Sequence, residues 1–125
     1  MTTKVTFRLA HVPPSTNSLT ANVAGKGRVR SDRYRSWANA AGWDLAKQRI
    51  KKFSCPVYLT IVIGRLTLSS DISNRVKAVE DLLVAHKIIP DDSIRWVRGV
   101  NAFLSPIPFD GVEISITEAD ALEAS

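Results

Sequence analysis

The chain has 125 residues, 45% of them hydrophobic and 23% charged, the balance of one ordinary globular domain with a real core and not of a disordered or low-complexity segment. Its formal charge of +5 favours a polyanionic partner. One cysteine, Cys55, excludes an internal disulfide and suits a reducing cytoplasm, and Met1 to Leu9 alternates polar with apolar residues, without the apolar run of a signal peptide or membrane span.

Lys4 to Leu9 reads as a strand, broken by Val12-Pro13-Pro14-Ser15 because proline lacks the amide donor and restricts its predecessor. A loop is expected from there to about Arg30, with Gly25-Lys26-Gly27-Arg28 either following a phosphate backbone or forming a hairpin tip. Ser31 or Asp32 can cap a helix to about Lys51, in which Tyr34, Trp37, Ala38, Ala41 and Leu45 share one face. Trp43 points off that face, as a dimer contact, a DNA contact or a partly covered surface residue. Val57 to Ile63 is β-branched and apolar at nearly every position, as a central strand would be. A second helix is expected from about Ser73 to Ala85, with Ile72, Val76, Val79 and Leu83 as its core stripe. Two more strands follow, Ser93 to Phe103 and Val112 to Thr117, parted by a turn through Pro106 and Pro108. The order predicts a two-layer α+β domain over residues 1–118, a mixed sheet with two helices on one face, and an acidic tail over 119–125.

The charge is unevenly spread. Between Lys26 and Lys52 stand nine basic residues and two acids, whereas from Asp110 onward there are five acids and no base. Such a basic region either binds nucleic acid, because neutralised phosphates release counterions, or is a solvated surface balanced by the acidic half.

The second helix and its flanks carry the densest chemistry. Asn74, Lys77 and Asp81 fall on the polar face opposite the core stripe, Asp71 precedes the first turn, and Asp91 and Asp92 follow the helix after a short connection. Carboxylates offer hard oxygen ligands to magnesium, and a lysine can meet charge developing on a phosphate, as phosphodiester cleavage requires. The alternative is structural: Asp71 caps the helix, Lys77 and Asp81 form an exposed i,i+4 pair of at most about 0.5 kcal/mol, and Asp91-Asp92 makes a turn.

Asp71-Ile72-Ser73-Asn74-Arg75-Val76-Lys77, then Glu80-Asp81-Leu82-Leu83 and Asp91-Asp92-Ser93-Ile94, resembles the RusA family of Holliday-junction resolvases. The family pattern is Asp-x-Asp-Asn-x-x-Lys, a helix with Asp-x-Leu, and a paired Asp-Asp before a strand. Pro13-Pro14-Ser15-Thr16-Asn17 resembles its Pro-Pro-Ser-x-Asn segment, so the likeness spans about Pro13 to Val97. The resemblance implies an endodeoxyribonuclease that resolves four-way junctions by paired nicks in DNA recombination and repair. It implies a homodimer with two sites and magnesium (manganese substituting), and neither a membrane nor a small-molecule cofactor. Asp71, Lys77 and Asp92 would be catalytic; Asp71, Asp91 and Asp92 would hold metal; Ser73, Asn74 and Asp81 would support them; and Lys26, Arg28, Arg30, Arg33 and Arg35 would grip DNA.

Ser73 departs from the pattern, standing where the family carries its second aspartate, and a hydroxyl is a poorer ligand for a hard divalent ion than a carboxylate. The remaining carboxylates then suffice with water, or the chain binds junctions without efficient cutting, with Ser73 serving as a helix cap. A metal-independent interaction module is the third reading. His11 and His86 have no neighbour at ligand spacing and read as structural or solvated.

Overall fold

A computed structural model describes residues 3–15, 20–23, 27–30, 32–67 and 71–119, with the backbone alone for 20–23 and 27–30. The elements are β1 (Lys4–Leu9), β2 (Thr20–Val23), β3 (Gly27–Arg30), α1 (Asp32–Gln48), β4 (Val57–Ile63), α2 (Ser73–Ala85), β5 (Val97–Leu104) and β6 (Val112–Glu118). The domain is α+β, with a four-stranded mixed sheet in the order β1-β6-β4-β5 and two helices. β4 runs parallel to β5 and antiparallel to β6, which in turn pairs antiparallel with β1. No helix among the described residues is long and apolar enough to cross a membrane.

One face of the sheet is buried. Along β4, Val57, Leu59, Ile61 and Ile63 are buried and alternate with half-buried residues, and Val112, Ile114 and Ile116 of β6 and Phe7 and Leu9 of β1 continue the same layer. The run that reads as apolar at nearly every position thus lies inside the sheet with helices covering one side. Thr6 and Ser115, exposed and 3.0 Å apart, pair on the opposite side.

Tyr34, Trp37, Ala41 and Leu45 of α1 enter the core as their helical spacing predicts. The helix ends at Gln48, short of the expected Lys51, because Arg49 turns to a positive φ of 51°. It is tied to the end of β1 by Trp37 Nε1 donating to the His11 carbonyl (3.1 Å), Gln48 to the Arg8 carbonyl (2.7 Å) and the Ala10 amide to Asp44 (2.8 Å). Trp43 is 75% exposed.

Three further expectations are corrected. Where a loop is expected before α1, β2 and β3 form an antiparallel hairpin outside the main sheet, with Gly27 and Arg28 on its second strand; Gly25 and Lys26 lie outside the described residues. The strand expected from Ser93 starts at Val97, because the Trp96 and Val97 amides both donate to the Ser93 carbonyl (2.9 and 2.8 Å) and close a turn first. α2 buries Ala78, Val79, Leu82 and Leu83, while Ile72 and Val76 are half-buried, so its first turn sits at the margin of the core. Of the acidic tail, Ala119 is described and its amide donates to the Pro56 carbonyl (2.8 Å); residues from 120 lie outside the described set.

The connection that matters most for the site leaves α2 through Lys87, at φ 59°, with the Ile88 amide returning to the Leu83 carbonyl (2.9 Å). Ile88 and Ile89 are buried, and the Phe53 amide donates to Ile88 (2.8 Å). These anchors hold the chain against the core before it reaches Asp91 and Asp92.

Candidate active site

Lys77, on the second turn of α2, stretches its ammonium to two carboxylates at once. Nζ donates to Asp92 Oδ2 at 2.7 Å and lies 3.2 Å from Asp81 Oδ1, one turn further along the helix. Asp92 comes from the segment anchored by Ile88 and Ile89, so the bridge ties α2 to the start of the β5 approach. The side chains of Lys77, Asp92 and Asp81 are 49%, 31% and 13% exposed, open enough for solvent and ligands yet screened on one side. Asp92's bond to Lys77 holds its carboxyl below the usual range, and the same bond raises the Lys77 ammonium above its ordinary value. Both groups are therefore charged across the neutral range.

They line an open cleft of about 340 Å³ with Tyr34, Val84, Ala85 and Asp91. Tyr34 comes from α1, whose first turn also carries the exposed Arg33 and Arg35; Arg35 pairs with Asp32 on its own helix. Arg28 and Arg30 lie on β3, their side chains outside the described set, and Lys26 is outside it altogether.

Asp71 stands apart from that cleft. It is exposed, accepts a hydrogen bond from the Ser73 hydroxyl (3.0 Å), and lines a second open hollow with Ile72, Ser73, Val76, Val100 and Ala102 between the start of α2 and the edge strand β5. The Asn74 amide donates to the Asp71 carbonyl (3.3 Å), so the chain enters α2 through a turn at Asp71. Ile72 occupies the N-cap position and no side chain caps the helix. Neither Ser73 nor Asp71 is the side-chain cap expected of it; the serine hydroxyl is spent on Asp71.

Two groups escaped the sequence reading. Glu80, half-buried beside Lys77, has its carboxyl pushed up chiefly by burial and then by the Asp92 charge. The i,i+3 spacing from Lys77 was the available signal for it. Arg75 donates from Nη1 to the Pro13 carbonyl (2.8 Å), fastening the buried Pro13-Pro14 segment to α2. Its guanidinium is lowered by burial and by the nearby positive charge of Arg33, which places the start of α1 beside α2. Nothing in its spacing announced that tether.

The carboxylates have the hard-oxygen chemistry that magnesium requires. Their arrangement does not fit it: among the described residues no group of three or more His, Cys, Asp or Glu side chains is placed to hold a metal ion. Asp71 faces one hollow, Asp91 and Asp92 another, and Asp92 is bridged by an ammonium. No protein-family model matches the chain, and no curated protein is similar to it.

Proposed function

We propose that this chain is an endodeoxyribonuclease of the RusA type, resolving four-way DNA junctions by paired nicks as a homodimer, with magnesium as its cofactor. The observation that carries the reading is the Lys77 ammonium held between Asp92 and Asp81 in an open cleft, next to the basic start of α1. A lysine fixed in this way presents a cation to a phosphodiester, where it stabilises charge on the non-bridging oxygens as the phosphorus becomes five-coordinate. Arg33 and Arg35, with Lys26, Arg28 and Arg30 of the hairpin region, grip the flanking phosphates and position the arms by shape with little base readout. The hydrolysis joins a water oxygen to phosphorus, breaks the bond to the 3′ oxygen and gives that oxygen a proton, leaving 5′-phosphate and 3′-hydroxyl ends. Magnesium would supply Lewis acidity when bound, but Asp71, the ligand the resemblance names beside Asp91 and Asp92, lines a different hollow, so no step is routed through the ion.

The second reading, a junction-binding protein that does not cut, draws on Ser73: its hydroxyl stands where a carboxylate would and engages Asp71. Nicking of a labelled four-way junction and of the matching linear duplex, in magnesium and in EDTA, separates the two. Magnesium-dependent nicks confined to the junction and lost in Asp92→Asn support the nuclease. Tight binding of the junction with no nicks in magnesium or manganese establishes the binding protein.

A further inference from the structure

The seam between α1 and α2 runs on beyond the cleft. Ala38 stands one turn after the cleft residue Tyr34, His86 follows the cleft residue Ala85, and with Asn39, Gly42, Trp43 and Ala46 they line an open hollow of about 290 Å³. The imidazole lies directly on α1 because Gly42 carries no side chain: a Cβ there would stand 2.8 Å from His86 Nε2. Trp43 rises beside this floor 75% exposed, whereas Trp37 on the same helix is 6% exposed. Ala46 and His86 also line a neighbouring hollow of about 220 Å³, to which the exposed Arg49 and Lys52 contribute. Neither hollow has an acidic residue in its lining, in contrast to the cleft with Asp81, Asp91 and Asp92.

This pairing of chemistries selects the occupant. An exposed indole offers a flat apolar face on which any nucleobase can stack, and the two cations further along the seam offer counter-charge to a phosphate. A second copy of the chain packed two-fold about Trp43 would instead set Arg49 and Lys52 against cations of the same face, since an isologous contact repeats one patch. A base paired inside a duplex has its faces covered by its neighbours, so a base stacked on Trp43 belongs to an unpaired strand. From Trp43 back to Tyr34 the helix runs roughly 13 Å, a span of a few nucleotides that ends at the cleft. Resting on the nuclease reading above, we propose that the seam between α1 and α2 holds an unpaired DNA strand in line with the cleft, with one base stacked on Trp43 and the adjoining phosphate on Arg49 and Lys52.

The test uses the full chain in EDTA, so that binding is read apart from cutting, and follows a fluorescein-labelled oligothymidylate by anisotropy. Trp43→Leu weakens binding at least about fivefold, the low end of one base stack, and Trp43→Phe recovers most of the loss. Arg49→Gln and Lys52→Gln each lower the slope of log affinity against log salt by about 0.7. Unlabelled oligothymidylate quenches the tryptophan fluorescence of the unaltered chain and leaves that of Trp43→Leu unchanged. Thermal melts establish that each variant is folded. Oligothymidylate that fails to bind the unaltered chain, or that binds Trp43→Leu equally well, overturns the strand site. A Trp43→Leu chain whose mass in sedimentation equilibrium halves while its DNA affinity stands overturns it too, and gives the face to a second copy. Nicking of a four-way junction by the unaltered chain in magnesium is measured in parallel: nicks without oligothymidylate binding sink the strand site alone, and Trp43-dependent binding without nicks sinks the nuclease reading alone.

Discussion

Replacing Lys77 by methionine and Asp92 by asparagine, singly and together, isolates the bridge that organises the cleft. The bond is short and fully charged, which favours a sizeable coupling, but the two side chains are 49% and 31% exposed, and solvent screens such a pair to roughly 0.5 to 1 kcal/mol. Lys77→Met alone costs more, about 1 to 2 kcal/mol, because it leaves Asp92 and the largely covered Asp81 facing one another. In urea, with a slope near 2 kcal/mol per molar, the coupling appears as a departure from additivity of about 0.3 to 0.5 M in the midpoint. The pH dependence has a fixed sign. Asp92 is lowered in the fold, so its contribution is complete above the unfolded value of about 3.8 and fades as pH falls through the folded one; Lys77 is raised, so its contribution is complete below about 10.5 and fades as pH rises through its folded value. The coupling is thus flat between these limits and shrinks in 1 M salt. Unfolding free energies that add within about 0.3 kcal/mol at pH 7 and low salt would refute the bridge.

Glu80 carries the opposite sign: its carboxyl is raised from 4.5 chiefly by burial, so the fold holds its proton more tightly than the unfolded chain and loses stability as pH rises from the unfolded to the folded value. Glu80→Gln is therefore expected to raise the melting temperature at pH 7 and to change it little at pH 3, which thermal melts at both pH values check. Gly111 has φ +124°, and a Cβ there would stand 2.0 Å from the Leu9 carbonyl oxygen; Gly111→Ala should cost roughly 1 to 3 kcal/mol in urea unfolding and break the contact between the loop before β6 and the end of β1. If Arg33 contacts a junction phosphate as proposed, Arg33→Ala weakens junction binding and lowers the slope of log affinity against log salt by about 1, measured by fluorescence anisotropy.

The parts of the fold legible from sequence are those in which one local pattern dominates. β1 and α2 begin and end where alternation and helical spacing put them, and β4 lies inside the sheet as a run apolar at nearly every position predicts. The hairpin of β2 and β3 is two four-residue strands without a strong apolar alternation, so nothing local distinguishes it from a loop. The turn at Ser93–Trp96 looks like strand because Ile94 and Trp96 alternate with Ser93 and Arg95, yet Ile94 is 80% exposed and the Ser93 carbonyl captures two amides first. On α2 the expected stripe ran through Ile72, Val76, Val79 and Leu83; the last two are buried as expected, together with Ala78 and Leu82, while Ile72 and Val76 are only partly buried against the core.

The candidate site was legible in its members and not in its grouping. A helical wheel places Lys77 and Asp81 together, and their ion pair is present. That Asp92 joins them depends on Ile88 and Ile89 pinning the chain after α2, a tertiary fact with no signature in spacing. Asp71 shares the helix with Lys77 in sequence but stands before its first turn, and the turn there directs it into the hollow beside β5. Ser73 reads as a cap by residue type, yet Asp71 offers its hydroxyl a charged acceptor two residues away, the stronger bond of the two.

The most direct test of the central claim joins cutting to resealing. A four-way junction labelled on each strand in turn is incubated with the chain and magnesium, the nicks are mapped, and the products are given DNA ligase with no kinase or phosphatase. Nicks at symmetry-related positions on two opposing strands, resealed by ligase and absent with Asp71→Asn, are the result expected of a resolvase that leaves 5′-phosphate and 3′-hydroxyl ends. A junction that is bound but uncut in magnesium and in manganese, or cut to ends that ligase cannot join, would contradict it.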